Sequence, residues 1–221
     1  MSKAPAGGAR PSNSRASKRR REAIAQATLS LLREHPTEAV AVADIAAVAE
    51  VSVATVYNLV GPRDRLLAGV FDSYIAKLAD ALHAARPSEE ENPWDAVEAA
   101  AHVAAIAATE SIADPAPIKA VLRELGPLHL DKTKGAGIAD LLLPQLVDAG
   151  ASPDAAAEAA RLIGHAFRGV LVSWANELMT DDEFHTDAVL VTRRLANAIF
   201  TEPSRETRAQ PSTLRASSPE R

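Results

Sequence analysis

Two groups of side chains near the amino end have the chemistry needed to bind duplex DNA. The first is a run of four cations, which pair well with phosphate oxygens. The second is the segment 52–58, whose hydroxyl, amide and methyl groups are of the kinds that contact base edges and backbone in a major groove. The residues expected at this surface are Lys18, Arg19, Arg20, Arg21, Ser52, Val53, Ala54, Thr55, Tyr57 and Asn58.

The apolar residues around this second segment have the spacing of two short helices joined by a tight turn. Helices at about 42–49 and 53–59 are too short to be stable alone, so they must pack on each other and on a preceding helix at about 17–34. Ser52 stands where its hydroxyl caps the second helix. The pattern therefore predicts a helix-turn-helix.

Charge is distributed unevenly along a chain whose net charge is −5. Residues 1–70 hold 10 Lys and Arg against 6 Asp and Glu, and the remaining residues hold 14 against 23. A basic head on an acidic body is the electrostatic pattern expected of a nucleic-acid-binding protein. A basic tail that only aids solubility is the alternative, and its position directly before the helix-turn-helix favours DNA contact.

This region resembles the TetR family of bacterial transcriptional repressors over about residues 18–70. The motif that carries the resemblance reads Ile45-Ala46, Val51-Ser52, Thr55-Val56-Tyr57 and Arg63. The resemblance implies an all-α protein with a DNA-binding head and a larger ligand-sensing body. It also implies that Tyr57 faces the DNA and that Arg63 contacts phosphate, although packing against the first helix stays open as another role for Tyr57.

The chain departs from the family motif at three places. Glu50 stands where the family has a turn glycine, Leu59-Val60 replaces histidine-phenylalanine, and Ala41 replaces a capping threonine. If the turn keeps its positive φ, Glu50 strains it by ~1–2 kcal/mol. These changes keep a second hypothesis open, in which a helical small-molecule carrier or enzyme has a vestigial head.

Helical patterns with caps continue to residue 200, and no strand pattern competes with them. Gly61-Pro62 opens a long helix that ends near residue 86 and connects head to body. Further helices are expected at about 93–110, 115–125, 135–149, 153–179 and 182–200. The domain plan is a disordered basic arm at 1–14, a helix-turn-helix domain at 15–62, an effector-binding and dimerisation domain at 63–201, and a disordered tail at 202–221.

The family resemblance implies an effector pocket in the body, and the few charges in the candidate lining suggest a mainly apolar or aromatic effector. His165 and Arg168 would suit an acidic ligand, but a histidine among apolar residues is more often a hydrogen-bonded core residue. The candidate lining residues are Phe71, Trp94, His102, Ile106, Leu122, Leu125, Leu142, Phe167, Leu171 and Trp174.

The helix expected at 153–179 is apolar on more than one side, so it needs two partners. Both partners can belong to one monomer, or one can be the same pair of helices in a second copy. The family resemblance favours a homodimer. The candidate interface residues are Leu162, Gly169, Val170, Leu178, Val189, Leu195 and Ile199.

Other classes of protein find little support in the sequence. The absence of cysteine excludes disulfides and thiolate metal sites. Glu98 and His102 have a spacing that suits a metal but fits a plain side-chain pair better. We find no catalytic motif, cofactor site, secretory signal or membrane span, and a cytoplasmic location is expected. The sequence thus predicts a repressor that an effector releases from its DNA operator, with an activator or DNA-organising protein as another reading.

Overall fold

The computed structural model describes residues 11–35, 40–85, 95–129 and 137–201. These ranges are helical and hold no strand, which confirms the all-α class. The helices are α1 (Pro11–Glu34), α2 (Val42–Val48), α3 (Val53–Leu59), α4 (Arg63–Ala84), α5 (Ala96–Ala113), α6 (Pro115–His129), α7 (Ile138–Asp148), α8 (Pro153–Ala175) and α9 (Asp181–Thr201).

The first helix starts earlier than the sequence analysis expected. It begins at Pro11, so residues 11–14 are helical and do not belong to a disordered arm. Proline suits the first turn of a helix because its missing N–H has no partner there anyway. The disorder expected for residues 1–10 and 202–221 lies outside the described residues.

Other helix ends also differ from the expected ones. Helix α6 continues to His129, about four residues further than expected. Helix α5 begins at Ala96, since the Asp95 carboxylate accepts hydrogen bonds from the backbone N–H groups of Val97 and Glu98, both at 2.9 Å. Helix α8 ends at Ala175, four residues early, in a turn where Glu177 has a φ of 61°. A helix commonly ends in this way, but glycine is the usual residue at that position.

Two hydrophobic cores organise the described chain, and α6 belongs to both. The head core joins α1, α2 and α3 to the first turns of α4 and includes Ala120 and Val121 of α6. The body core surrounds α5 and includes Ile118 and Leu122 from the same helix. The head core therefore extends past the boundary expected at residue 62, and α6 connects the two units physically.

Helix α5 lies at the centre of the body, where it packs extensively against α9 and also against α4 and α7. Among the described residues, no other single helix is both long enough and apolar enough to cross a membrane. Half of α5 is buried inside the protein. A core helix meets the same requirements of length and composition, and the position of α5 is that of a core helix.

Candidate functional site: an exposed helix-turn-helix and a cavity in the body

The helix-turn-helix is formed by α2 and α3, whose axes differ in direction by 99°. In the turn, the N–H of Glu50 bonds to the carbonyl of Ala47 at 3.2 Å, and that of Val51 bonds to Ala46 at 2.9 Å. Glu50 has a φ of 54°, the left-handed conformation that glycine usually supplies. The geometry of the turn is therefore preserved with a glutamate in it.

Helix α3 begins with the expected cap. Ser52 Oγ accepts a hydrogen bond from the N–H of Thr55 at 3.1 Å and lies 2.8 Å from Thr55 Oγ1. The two hydroxyls are thus held together at the start of the helix. One of the two hydroxyls donates its proton to the other, so the second keeps an O–H that can donate to a phosphate or a base edge.

One face of α3 is buried in the head and the opposite face is exposed. Val56 is fully buried, whereas Val53 is 41% exposed and Tyr57 is 51% exposed. Ala54 and Asn58 are exposed beside them. Two exposed large hydrophobic side chains on a seven-residue helix are typical of a contact surface. The exposure of Tyr57 argues against the alternative in which it packs into the head.

The cations of α1 lie on the surface of the same head. Lys18, Arg19, Arg20 and Arg21 are all exposed. Arg21 also donates from Nε to the carbonyl of Leu59 at 3.0 Å, which ties α1 to the carboxyl end of α3. This bond satisfies a free carbonyl at the end of a helix and helps to fix the recognition surface.

Arg63, for which the family resemblance implied a phosphate contact, has partners within its own chain. Its Nε donates to the carbonyl of Val40 at 2.6 Å, and its Nη2 pairs with the carboxylate of Glu124 on α6. The two side chains are only 29% and 19% exposed. The guanidinium of Arg63 thus lies in the junction of head and body.

A second ion pair joins head to body on the surface. Arg33 of α1 makes a two-pronged contact with Asp114, with Nη2 at 2.6 Å and Nε at 3.2 Å from the carboxylate. The hydrogen bond to Asp114 raises the pKa of Arg33. Together with the Arg63–Glu124 pair, this contact fixes the head against the α5–α6 region of the body.

A cavity of about 360 Å³ lies between α4, α7 and α8. Its size falls within the range of small-molecule sites, roughly 300–1,000 Å³. Gly164 lets α7 approach α8 closely here, because a Cβ at this position would lie 3.1 Å from the Cβ of Ala139. The lining residues with large or charged side chains are Phe71, Tyr74, Ile75, Leu78, Ile138, Asp140, Leu143, Arg161, His165, Phe167, Arg168 and Leu171.

Only part of the predicted pocket lies at this cavity. Phe71, Phe167 and Leu171 line it. The other described candidates do not line it; of these, Leu122, Leu142 and Trp174 are buried in the body core. His102 and Ile106 lie on α5, and burial lowers the pKa of His102. Trp94 and the side chain of Leu125 lie outside the described residues.

Trp174 is a core residue whose ring and N–H are both in use. It stacks on Phe184 with ring centroids 4.6 Å apart, and Lys119 Nζ lies 4.4 Å from its ring centroid. Its Nε1 donates to Asp181 at 2.7 Å. A tryptophan held on all sides in this way joins α8 to α9 and leaves no surface for a ligand.

The candidate interface residues on and near α8 and α9 differ in how much of their surface is free. Val170, Leu195 and Ile199 pack against the body core of their own chain, so the monomer already uses much of their surface. Leu162 and Val189 are half-buried, and Gly169 is exposed. Leu178 is 77% exposed but lies in the turn after α8.

The described residues contain no group of three or more acidic or histidine side chains that could hold a metal ion. Glu98, one member of the pair considered from the sequence, accepts a hydrogen bond from Arg193 Nη2 at 2.9 Å. This bond links α5 to α9, so Glu98 has a structural role.

Comparison with known proteins identifies the fold. No protein-family model matches the sequence, and no curated protein does. A TetR transcriptional regulator from Rhodococcus sp. RHA1 is similar in structure, with a TM-score of 0.64 and 18% identity over 85% of this chain and 98% of that one. Thermus thermophilus FadR, a TetR-family repressor solved with lauroyl-CoA, is also similar in structure. Its TM-score is 0.64, with 17% identity over 83% of this chain and 96% of that one. This chain has the fold of TetR-family transcriptional regulators.

Proposed function

We propose that this chain is a TetR-type transcriptional regulator that binds DNA as a homodimer and responds to a small molecule. The observation that carries the proposal is the exposed face of α3, with Val53 and Tyr57 projecting from a helix-turn-helix of normal angle beside the cations of α1. A surface with this composition suits a major groove with flanking phosphates.

The mode of DNA recognition follows from what α3 lacks. No residue between Val53 and Leu59 is basic, so the bidentate pairing of Arg or Lys with guanine is not possible from this helix. Val53 and Ala54 offer methyl groups that suit thymine, and Asn58 offers an amide that suits adenine. We expect an operator with A·T pairs under α3, with phosphate contacts from Lys18, Arg19 and Arg20.

The fold supplies a route from the cavity to the head. Phe71 and Tyr74 of α4 line the cavity, while Leu66, Leu67 and Val70 of the same helix belong to the head core. A ligand that displaces α4 therefore acts on a helix that is part of the DNA-binding unit. By this proposal, effector binding favours a body conformation in which the two heads no longer fit the operator.

The outward surface of α8 supports a two-fold dimer. Gly169 is exposed, and a Cβ there would meet no atom within 4 Å, so the surface is open to the backbone of a second α8. On α9, Leu190 is 44% exposed. A pair of such helices from each of two copies would form a four-helix interface.

Sedimentation of Gly169→Arg tests the dimer against a matched control. Gly69 on α4 is also a helical glycine with open space around it, and each glycine carbonyl accepts from a serine four residues on. We expect wild type and Gly69→Arg to be dimers and Gly169→Arg to be a monomer. A dimeric Gly169→Arg would place the interface elsewhere.

Selection of bound fragments from the host genome tests DNA binding and also locates the operator. The matched variants are Val53→Ala and Val147→Ala, because the two valines are 41% and 40% exposed on α3 and α7. We expect Val53→Ala to lose affinity and Val147→Ala to retain it. Enrichment of no fragment by the wild-type protein would contradict the proposal and favour a helical carrier or enzyme.

The sign of regulation depends on the position of the operator. We favour repression, in which the protein on its operator blocks transcription. A reporter placed behind the selected fragment should become more active when the gene for this protein is deleted. A fall in activity would instead indicate an activator.

A further inference from the structure

We infer that the cavity between α4, α7 and α8 takes an amphipathic carboxylate, with its apolar part against α4 and its charged group at a basic stripe on α8. This inference rests on the proposed function only in naming the cavity as the effector site. It departs from the mainly apolar effector that the sequence suggested.

The apolar part of the cavity is large and comes from several helices. Phe71 and Leu78 of α4, Phe167 and Leu171 of α8, and Leu143 of α7 all line it, and Leu143 is 37% exposed. Burying such surface against a hydrocarbon or aromatic group is favourable in proportion to the area removed from water. These apolar side chains therefore favour a ligand with an apolar part.

The cavity lining also includes a stripe of basic residues on α8. Arg161, His165 and Arg168 are four and three residues apart on one face of α8 and all line the cavity. Arg161 and His165 are exposed, and in the described part of the chain Arg161 makes no ion pair. A guanidinium offers two parallel N–H groups that match a carboxylate in shape and charge.

Asp140 is the acidic residue among the described residues that line the cavity, and one of its oxygens has a partner in the backbone. Its Oδ2 accepts a hydrogen bond from the N–H of Gly137 at 2.9 Å and so caps α7. Among the described residues that line the cavity, Arg161 therefore supplies a permanent positive charge. A guanidinium at this position favours an anionic ligand group over a neutral or cationic one.

A series of ten-carbon amphiphiles that differ only in charge tests the inference. Decanoate, decanol and decylamine are titrated into the full-length protein without DNA, and binding is measured by calorimetry. We expect decanoate to bind about tenfold more tightly than decanol, because a hydrogen bond to a charged group stabilises a complex more than a neutral one does. Decylamine should bind most weakly.

Variants at Arg161 assign the preference to the stripe. Arg161→Gln should weaken decanoate binding about tenfold and leave decanol unchanged. Arg161→Glu should reverse the order, so that decylamine binds more tightly than decanoate. Arg65→Gln, at an exposed arginine of α4 that does not line the cavity, is the matched control and should behave as wild type.

The outcomes separate this inference from the proposed function. Equal affinity for decanoate and decanol, no binding of any of the three, or an unchanged preference in Arg161→Gln would overturn the inference, even if the protein binds an operator. A decanoate preference that depends on Arg161 would support the inference, even if the genome selection finds no operator.

Discussion

Replacing Arg63 distinguishes two possible roles of this residue. The family resemblance implies that Arg63 contacts phosphate, whereas its contacts in the structure suggest that it holds head and body together. In the structure, Arg63 bonds to the carbonyl of Val40 and pairs with Glu124, and both charged side chains are less than a third exposed. Each hydrogen bond to a charged group contributes ~1.5–3 kcal/mol. Since the pair is only partly buried, we expect Arg63→Gln to lower the free energy of unfolding by about 2–3 kcal/mol.

Arg20→Gln provides the comparison. Arg20 is exposed, so its replacement should change the free energy of unfolding by no more than about 0.5 kcal/mol. It should instead reduce the salt dependence of DNA binding, by ~0.9 in the logarithmic slope for each phosphate that the variant no longer neutralises and hence ~1.8 for a dimer. Arg63→Gln should leave that slope unchanged.

Urea denaturation and DNA-binding titrations at several salt concentrations measure both quantities for both variants. Glu124→Gln adds a further check, since it should destabilise the protein and its effect should not add to that of Arg63→Gln. A stable Arg63→Gln variant with a reduced salt slope would refute the reasoning and restore the phosphate role of Arg63.

Two further predictions concern the turn and the α4–α5 contact. Glu50→Gly should raise the free energy of unfolding by about 0.5–1 kcal/mol, because the strain of a side chain at φ 54° exceeds the entropic cost of glycine; equal or lower stability in urea would contradict this. Tyr74→Phe should cost about 1 kcal/mol near neutral pH, since the Tyr74 hydroxyl lies 2.7 Å from Ser111 Oγ and 3.1 Å from the carbonyl of Ala107. Burial raises the pKa of Tyr74 to about 12, so the stability that its neutral phenol contributes should decline from about pH 10 to about pH 12. Unfolding curves over that range should show this decline in wild type and not in Tyr74→Phe. In a Tyr57→Phe background, where Tyr74 is the one remaining tyrosine, a phenolate absorbance that appears near pH 10 would contradict the burial.

The helix-turn-helix was predictable because its signals are local. The cap at Ser52 and the apolar spacing from Ile45 to Val56 act within a few residues, and the structure has both. The turn kept its geometry with Glu50 in place of glycine because the hydrogen bonds of Glu50 and Val51 to the end of α2 require positive φ from any residue there.

The early end of α8 carried no comparable signal. Glu177 takes the position that glycine or asparagine usually fills, so the helical pattern continued to residue 179. Its carboxylate pairs with Arg123 of α6 at 2.7 Å, a contact from a distant part of the chain. This ion pair helps to fix the turn, and sequence spacing does not reveal it.

The contacts of Arg63 and the position of the cavity could not be predicted either, because both depend on residues that are far apart in the sequence. Glu124 meets Arg63 only because α6 packs into the head core, and Gly164 meets Ala139 only because α7 crosses α8 at that point. Large apolar residues such as Trp174 have the same pattern in a pocket as in a core. Only the packing of the helices tells which of them face a cavity.

Footprinting on a fragment recovered from the genome tests the central claim most directly, because it reports both DNA contact and the pairing of heads. The account predicts two protected segments related by a dyad, with centres ~34–36 Å apart or at a related spacing, and loss of both segments in Tyr57→Ala. A single asymmetric protected segment, or protection that Tyr57→Ala leaves intact, would contradict it.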